Sequence, residues 1–190
     1  MKILLVCGSI AQQSHTHAFL RFIEDLLKKQ KVETVFWDLR TSPLPIALPE
    51  YHKDPLKNPD KTVQKFVRAV MDADGLVLGS PLYHGSYSGV LKNALDNLQY
   101  DALRNKPVAI VSNGSNIRNC THPCSHLRLV VRAIYGYVLQ SQIGTANEDY
   151  KVSKDGYILA NEDLKERASR LVFELTAFTS FLKKNPINNN

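Results

Sequence analysis

Short apolar runs alternate with amphipathic helical patterns along the chain, and this alternation limits the possible folds more than any other feature. The apolar runs predict five strands, at residues 3–7, 32–39, 76–78, 108–111 and 138–143. The helical patterns predict five helices, at residues 15–30, 60–73, 90–100, 127–137 and 164–184. Strands that alternate with helices form a parallel sheet covered by helices on both faces. We therefore expect an α/β three-layer sandwich whose five parallel strands lie in the order 2-1-3-4-5.

Length and composition favour one ordinary globular domain. The 190 residues suit a single domain over 1–184, followed by a polar tail at 185–190. A hydrophobic content of 44% and a charged content of 22% are typical of soluble proteins. The apolar runs are too short to cross a membrane and the first lacks a cleavage pattern, so we expect a cytoplasmic protein with no membrane contact. Five prolines between residues 43 and 59 predict a long irregular loop.

The cysteines indicate a reducing compartment rather than a disulfide framework. There are three, Cys7, Cys120 and Cys124, and an odd, small number suits free thiols. His122 and His126 accompany the last two, and these residue types are zinc ligands. The C-x3-C spacing has no second distant pair, so a loop leading into a helix is the preferred interpretation and no metal is predicted.

The net charge of +6 raises the question of nucleic acid. The basic residues are dispersed, and the pairs at 28–29 and 183–184 fall at predicted helix ends, where cations are favourable. No basic stripe is interleaved with stacking aromatics. We expect a solvated surface that attracts phosphorylated cofactors, and no nucleic-acid partner.

Loops rich in glycine and hydroxyl groups follow the first, third and fourth predicted strands. They span residues 8–17, 81–86 and 112–116. The carboxyl ends of parallel strands meet at one edge of the sheet, and ligands of such folds bind where the strand order reverses. The three loops therefore predict one shared site.

The first of these loops has the composition of a phosphate cradle. Gly8 permits a tight turn, while Ser9, Ser14 and Thr16 supply hydroxyls beside the N-terminus of the following helix. Free N–H groups and the helix dipole favour an anion there. The alternative is that Ser14 only caps the helix, which is the commoner role of such a serine.

Residues 79–96, GSPLYHGSYSGVLKNALD, strongly resemble the flavin-contacting signature of NAD(P)H-dependent FMN reductases. Two weaker likenesses support it: the phosphate-loop residues 8–9 and 14–16, and the segment 127–136, LRLVVRAIYG. The resemblance covers roughly residues 1–140. It implies a flavodoxin-like fold and a family that includes azobenzene, quinone and chromate reductases.

The resemblance implies an oxidoreductase that passes electrons from NADPH or NADH through bound FMN to a small-molecule acceptor, such as a flavin, a quinone or an azo compound. No catalytic residue is named, because the flavin itself accepts the hydride. The alternative is a flavodoxin-like electron carrier that does not oxidise NAD(P)H. Such carriers are usually acidic, whereas this chain carries +6, so the enzyme is preferred.

The residues that the resemblance assigns to FMN fall in the three loops. They are Ser9, Ser14, His15 and Thr16 at the phosphate, Pro81, Leu82, Tyr83, His84 and Gly85 at the ring, and Ser112, Asn113, Gly114 and Ser115 at the pyrimidine edge. An ordinary Asn-Gly turn is the alternative for the last loop. Many family members have an arginine where this chain has Ala11, and His15 or His17 is the candidate replacement.

Two further expectations concern the donor and the assembly. The sequence leaves NADPH and NADH open, with Arg118 and Arg128 as candidate partners of a 2′-phosphate. The helix at 127–137 is apolar around much of its circumference, and one face alone packs on the sheet. We expect the remaining apolar surface to form a homodimer or homotetramer near the flavin. The alternative is that the 40–59 loop or the last helix covers it.

Overall fold

The computed structural model describes residues 1–154 and 156–187. Its strands are β1 Lys2–Cys7, β2 Glu33–Asp38, β3 Gly75–Pro81, β4 Pro107–Gly114, β5 Tyr137–Ala146, β6 Tyr150–Ser153 and β7 Gly156–Leu159. Its helices are α1 His15–Lys29, α2 Lys61–Asp72, α3 Gly89–Asp96, α4 His122–Ala133 and α5 Glu162–Lys184. Within the described residues, no helix is both long enough and apolar enough to span a membrane.

Strands β1 to β5 form a parallel sheet in the order β2-β1-β3-β4-β5, which confirms the predicted topology. Two apolar clusters cover its faces. One packs α2, α3 and α4 against the sheet through Phe66, Leu91 and Leu127, and the other packs α1 and α5 through Phe19 and Leu171. The central strands are continuous apolar runs because both of their faces are buried.

Strands β3, β4 and β5 extend further towards their carboxyl ends than the apolar runs predict, and β5 reaches Ala146. β3 reaches Pro81 and β4 reaches Gly114, with Ser80 opposite Ser112 and Pro81 opposite Asn113. Backbone pairing between β3 and β4 holds these residues in the sheet, although serine, proline and asparagine side chains do not favour strands. The predicted loop at 112–116 therefore begins inside β4.

The helix boundaries also differ from the predicted ones. α3 ends at Asp96 rather than at residue 100, and the side chain of Asn97 turns back to the carbonyl of Asn93. α4 begins at His122 rather than at residue 127, because Pro123 occupies its first turn, where proline is favoured. It ends before Tyr135, whose φ of 67° is incompatible with a right-handed helix.

The hairpin β6–β7 was not predicted. It is antiparallel and packs beside the N-terminus of α1, where Tyr157 stacks on His15 with ring centroids 3.7 Å apart. Each strand has only four residues, too few for a clear alternation of apolar and polar positions. The hairpin brings a segment far along the sequence to the edge of the sheet where the polar loops lie.

The predicted irregular loop at 40–59 is held against α3 by side-chain amides. The Ala47 N–H donates to Asn93 Oδ1 at 2.9 Å, and Asn93 Nδ2 donates to the Pro45 carbonyl at 2.9 Å. The start of the predicted tail is also held, because the Ile187 N–H donates to Asn105 Oδ1 at 3.1 Å. Residues 188–190 of that tail lie outside the described residues.

Candidate functional site

A cavity of about 220 Å³ opens at the edge of the sheet where β1, β3 and β4 end, and we call it the edge cavity. It is lined by Ser9, Ala11, Gln13, Ser14, His15, Thr16, Pro81, Leu82, Tyr83, Asn113, Gly114, Ser115 and Asn147. All but three of the predicted site residues are therefore brought together. The exceptions are His84, Gly85 and Ser112.

One end of the edge cavity carries hydroxyl groups at the start of α1. Ser14 Oγ accepts the His17 N–H at 3.1 Å, so Ser14 does cap the helix. The cap uses one lone pair of the hydroxyl and leaves its proton free to donate. Thr16 is 2% exposed, and its hydroxyl has no hydrogen-bond partner among the described residues. The first turn of α1 contains no acidic residue, so nothing there opposes an anion.

Backbone hydrogen bonds lock the three loops to one another. The Gly8 N–H donates to the Gly79 carbonyl at 2.8 Å, and the Leu82 N–H donates to the Asn113 carbonyl at 2.7 Å. The Ser88 hydroxyl donates to the Gly8 carbonyl at 2.6 Å, which ties the first loop to α3. Hydrogen bonds between these segments therefore hold the walls of the cavity together.

His84 and Gly85 form the tip of a tight turn rather than a wall of the cavity. The backbones of Tyr83 and Ser86 exchange hydrogen bonds of 2.9 and 3.1 Å across this turn. The two tip residues have φ values of 46° and 83°, the left-handed region that type I′ turns require. The turn fixes the Tyr83 backbone at the mouth of the cavity, where its side chain is 43% exposed.

Ser112 points away from the cavity. It is buried, its hydroxyl donates to the Cys120 carbonyl, and its oxygen lies 3.1 Å from Sγ of Cys124. Successive side chains of a strand face opposite sides, so Asn113 is the one directed to the cavity. The Asn113 amide donates to Thr145 Oγ1 at 3.2 Å, which leaves its carbonyl oxygen available to a ligand.

Asn147 also lines the cavity and was missed. It follows β5, whose carboxyl end lies at the same edge as those of β3 and β4. The sequence signal was present, because a polar residue directly after the fifth strand meets the same topological rule as the other three loops.

The two histidines of α1 do not supply the charge that an arginine at position 11 would bring. Burial lowers the pKa of His15, whose ring lies against Tyr157 and Tyr150. Burial, and then the charge of Arg21, lower the pKa of His17. Since an isolated histidine titrates near 6.5, both rings are uncharged at neutral pH in the free protein.

The cysteine pair at the start of α4 is buried in the fold. Burial raises the pKa of Cys124 to about 11, so its sulfur is a neutral thiol at physiological pH. Cys7 and Cys120 are also buried and free. Across residues 1–154 and 156–187, no group of three or more histidine, cysteine and acidic side chains is placed to hold a metal ion.

The sequence of this chain matches a known family and several characterised proteins. The model of the family described as NADPH-dependent FMN reductase matches residues 1–149. The chain belongs to this family. The FMN-dependent NADPH-azoreductase of Staphylococcus saprophyticus is 38% identical over 190 residues, covering 98% of this chain and 97% of that protein. The protein of the same name from Staphylococcus aureus is 35% identical over 181 residues, covering 95% and 96%.

Solved structures of flavin enzymes share the fold. FerB of Paracoccus denitrificans, a flavoenzyme NAD(P)H:(acceptor) oxidoreductase, has a TM-score of 0.74 at 18% identity over 96% of this chain and 97% of that one. The apo form of the NADH:FMN oxidoreductase EMOB has a TM-score of 0.71 at 22% identity over 97% and 91%. At such identities the likeness shows the flavodoxin-like architecture alone.

Family membership confirms the predicted enzyme class, with FMN as cofactor and NADPH as electron donor, and decides against the electron carrier. The residues of the edge cavity fit this cofactor. Its hydroxyl-rich end beside α1 suits a phosphate. Its other end offers Leu82, Tyr83 and the side-chain oxygen of Asn113 to a flat ring with a polar edge.

Proposed function

We propose that this protein is an NADPH-dependent, FMN-loaded azoreductase. The observation that carries the proposal is the identity of 38% with an FMN-dependent NADPH-azoreductase over 97% of that protein's length, so the whole chain is alike and not only a cofactor-binding part. Cleavage of one N=N bond takes up two hydrides from NADPH and two protons from solvent, and releases two amines.

The chain's own residues hold and orient the reactants. We propose that Ser9, Ser14, His15 and Thr16 surround the FMN phosphate, while Pro81, Leu82, Tyr83 and residues 113–115 flank the ring. Bound FMN supplies the chemistry by accepting a hydride and passing electrons on. His84 and Gly85 support this arrangement from the turn tip, and Ser112 supports it by fixing β4 to α4.

The edge cavity also suits a flat second substrate. Tyr83 stands exposed at its mouth and Leu82 lies beside it. An apolar and aromatic rim favours planar aromatic compounds, which include azo dyes, quinones and free flavins. The azo compound is the acceptor class we propose, and quinones and free flavin are the comparison substrates.

The test is reduction of an azo dye by purified, FMN-loaded protein. We expect NADPH alone to bleach the flavin absorbance without oxygen, and a dye such as methyl red to restore it while losing its own colour. Apoprotein is the control and should leave the dye unchanged. Failure of NADPH to bleach the flavin would contradict reductase activity. Bleaching followed by oxidation with a quinone but not with the dye would overturn the proposed acceptor.

We also propose a homodimer, with a homotetramer as a further assembly, whose second chain walls the flavin site. Leu129 on α4 is 66% exposed, so neither the 40–59 loop nor α5 covers it. Tyr100 and Tyr135 form a ring pair and are 66% and 45% exposed. In addition, the edge cavity of about 220 Å³ is smaller than the roughly 300–1,000 Å³ of complete ligand pockets.

Light scattering on a sizing column tests the dimer. We expect at least twice the 21.4 kDa of one chain. Leu129→Asp should give the monomer and weaken FMN binding, because a charge replaces the exposed apolar side chain. Val152→Asp is the matched control, since Val152 is 80% exposed on the hairpin and outside this surface. A wild-type mass of one chain at micromolar concentration would refute the proposal.

Two coarser proposals complete the description. We propose that residues 1–184 form one FMN-binding domain, supported by the packing of α5 against α1, β4 and β5, and expect one calorimetric unfolding transition.

We propose a cytoplasmic location, supported by three free cysteines, all of them buried. Fractionation of cells that produce the protein would test it.

A further inference from the structure

A second cavity of about 310 Å³ lies beside the edge cavity, on the side towards β2, and we call it the basic cavity. The two cavities share Ser9 and Ser14 in their common wall. Its other lining residues include Arg21 on α1, Asp38 at the end of β2, Arg40 just after that strand and Tyr157 on the hairpin. The two cavities therefore lie next to each other on the two sides of the first loop.

Two guanidinium groups from different elements face this cavity. Arg21 is fixed, with its guanidinium 3.7 Å from the centre of the Phe36 ring and Nη1 2.8 Å from Glu24 Oε2. Arg40 is 41% exposed, and its closest acidic partner is Asp38, at 3.7 Å. That separation is longer than a hydrogen bond, so the Arg40 donors are available to a ligand.

The acidic groups near the cavity do not cancel this charge. Glu24 also forms an ion pair with Lys28, whose Nζ lies 2.9 Å from Oε1, so Arg21 and Lys28 share one carboxylate. Asp38 Oδ1 accepts a hydrogen bond from the backbone N–H of Arg40 at 2.9 Å, and Asp38 Oδ2 lies 3.9 Å from Nε2 of His17. Counting Arg21, Lys28 and Arg40 against Glu24 and Asp38 leaves one net positive charge. The N-terminus of α1 adds the positive end of its dipole.

We propose that the basic cavity binds the 2′-phosphate of NADPH, with Arg40 as its principal contact and Arg21 as a second. The inference rests on the proposed function, because it assumes that a nicotinamide dinucleotide reaches the flavin from this side. Guanidinium groups bind phosphate oxygens through paired N–H donors and so suit a phosphate monoester. NADH lacks this group, so the cavity provides a basis for preferring NADPH.

The other candidate arginines are less suited to this role. Arg128 Nη1 donates to the Leu139 carbonyl at 2.9 Å and lies 3.3 Å from Gln142 Oε1, so its guanidinium is committed to β5. Arg118 lies on the exposed loop after β4, outside both cavities. The site that we propose for the FMN phosphate is the hydroxyl-rich end of the edge cavity, which leaves the basic cavity for a second phosphate.

The basic cavity is partly built by a segment outside the family match. The family model ends at residue 149, whereas Gly156 and Tyr157 belong to β7. The basic cavity therefore combines two arginines from within the family match with hairpin residues from beyond it.

The test compares two nucleotides that differ only by the 2′-phosphate, using FMN-loaded protein and calorimetry. We expect Arg40→Ala to weaken adenosine 2′,5′-bisphosphate by about tenfold or more, and adenosine 5′-monophosphate by less than about twofold. The KM for NADPH should rise while that for NADH stays constant. Arg170→Ala is the matched control, because Arg170 is an exposed arginine on α5 outside the basic cavity.

Three results would overturn the inference. They are unchanged bisphosphate affinity in both Arg40→Ala and the Arg21→Ala/Arg40→Ala double variant, an equal loss of FMN affinity by fluorescence titration, and a larger loss in Arg118→Ala than in Arg40→Ala. If the protein still reduces the dye with NADPH when one of these three results is found, the result contradicts the 2′-phosphate site and not the proposed function. A selective loss of bisphosphate binding in a protein that reduces no dye supports the cavity and contradicts only the function.

Discussion

Ser14 is the residue at which two roles of one hydroxyl can be separated by substitution. Its oxygen accepts the His17 N–H at 3.1 Å as the cap of α1, and its proton remains to be donated to a phosphate. Alanine removes both functions and aspartate keeps the acceptor but adds a negative charge. Threonine keeps acceptor and donor together, so it is the matched control.

The expected magnitudes differ enough to be distinguished. Loss of the cap in Ser14→Ala should cost about 1 kcal/mol of unfolding free energy, which lowers the Tm by roughly 2–4 °C at this chain length. Loss of a hydrogen bond to a charged phosphate costs roughly 1.5–3 kcal/mol, or roughly 10- to 150-fold in FMN affinity. In Ser14→Asp, like charges about 4 Å apart near the surface repel by about 4 kcal/mol, on the order of a thousandfold.

The assay has two independent readouts. Urea unfolding of the apoprotein reports the cap, and quenching of FMN fluorescence on titration reports the phosphate contact. We expect alanine to lower both quantities, aspartate to keep the stability and lose the affinity, and threonine to keep both. If the alanine and aspartate variants bind FMN as tightly as the wild type, Ser14 is a cap alone and the phosphate cradle is wrong.

Three further changes test other parts of the structure. A Cβ on Gly8 would lie 2.9 Å from the Gly79 carbonyl oxygen, so Gly8→Ala should lower the unfolding free energy measured in urea by roughly 1–3 kcal/mol. Gly89→Ala is the control, because a Cβ there would meet open space, and equal effects of the two variants would contradict the close packing around Gly8. Backbone hydrogen bonds from the first turn of α2 lower the pKa of Asp60, so its ionised carboxylate stabilises the fold above the ordinary pKa of 3.8, and this stabilisation is lost as the pH falls through the lower pKa of the folded protein. Asp60→Asn should flatten the dependence of the urea midpoint on pH in that range, and an unchanged slope would refute this prediction. Tyr157→Ala should let the pKa of His15, followed by NMR, rise towards 6.5, while Tyr157→Phe keeps it low; a pKa that stays low in both variants would show that the stacked ring does not cause the shift.

The sheet and the position of the edge cavity were predictable because both follow from the order of the apolar runs. Each run that ended at a glycine or a hydroxyl-bearing residue placed its loop at the same edge, and the edge cavity lies there. The ends of β3 and β4 were not predictable from apolarity, because pairing between Pro81 and Asn113 is a property of two strands together. That error also hid the direction of Ser112, since a residue in a loop has no fixed face whereas a residue in a strand does.

The side chains around the phosphate end depended on contacts that no local pattern encodes. The two strands of the hairpin are short, and their partners on α1 lie far away in the sequence, so neither propensity nor periodicity indicates that Tyr157 reaches His15. Arg40 was also missed, although it directly follows the predicted second strand and therefore lies at the same edge of the sheet as the three loops.

The hairpin also changes where the positive charge of the site must come from. Burial beside Tyr157 and Tyr150 lowers the pKa of His15, so its ring is favoured in the neutral form, and position 11 of this chain is an alanine. The first loop therefore offers hydroxyl and N–H donors but no fixed cation. The positively charged side chains that line the two cavities are Arg21 and Arg40, and both belong to the basic cavity. If the first loop holds the FMN phosphate through neutral donors and the 2′-phosphate binds to the guanidinium groups, as we propose, then replacing the arginines should change the preference for NADPH over NADH without changing FMN affinity.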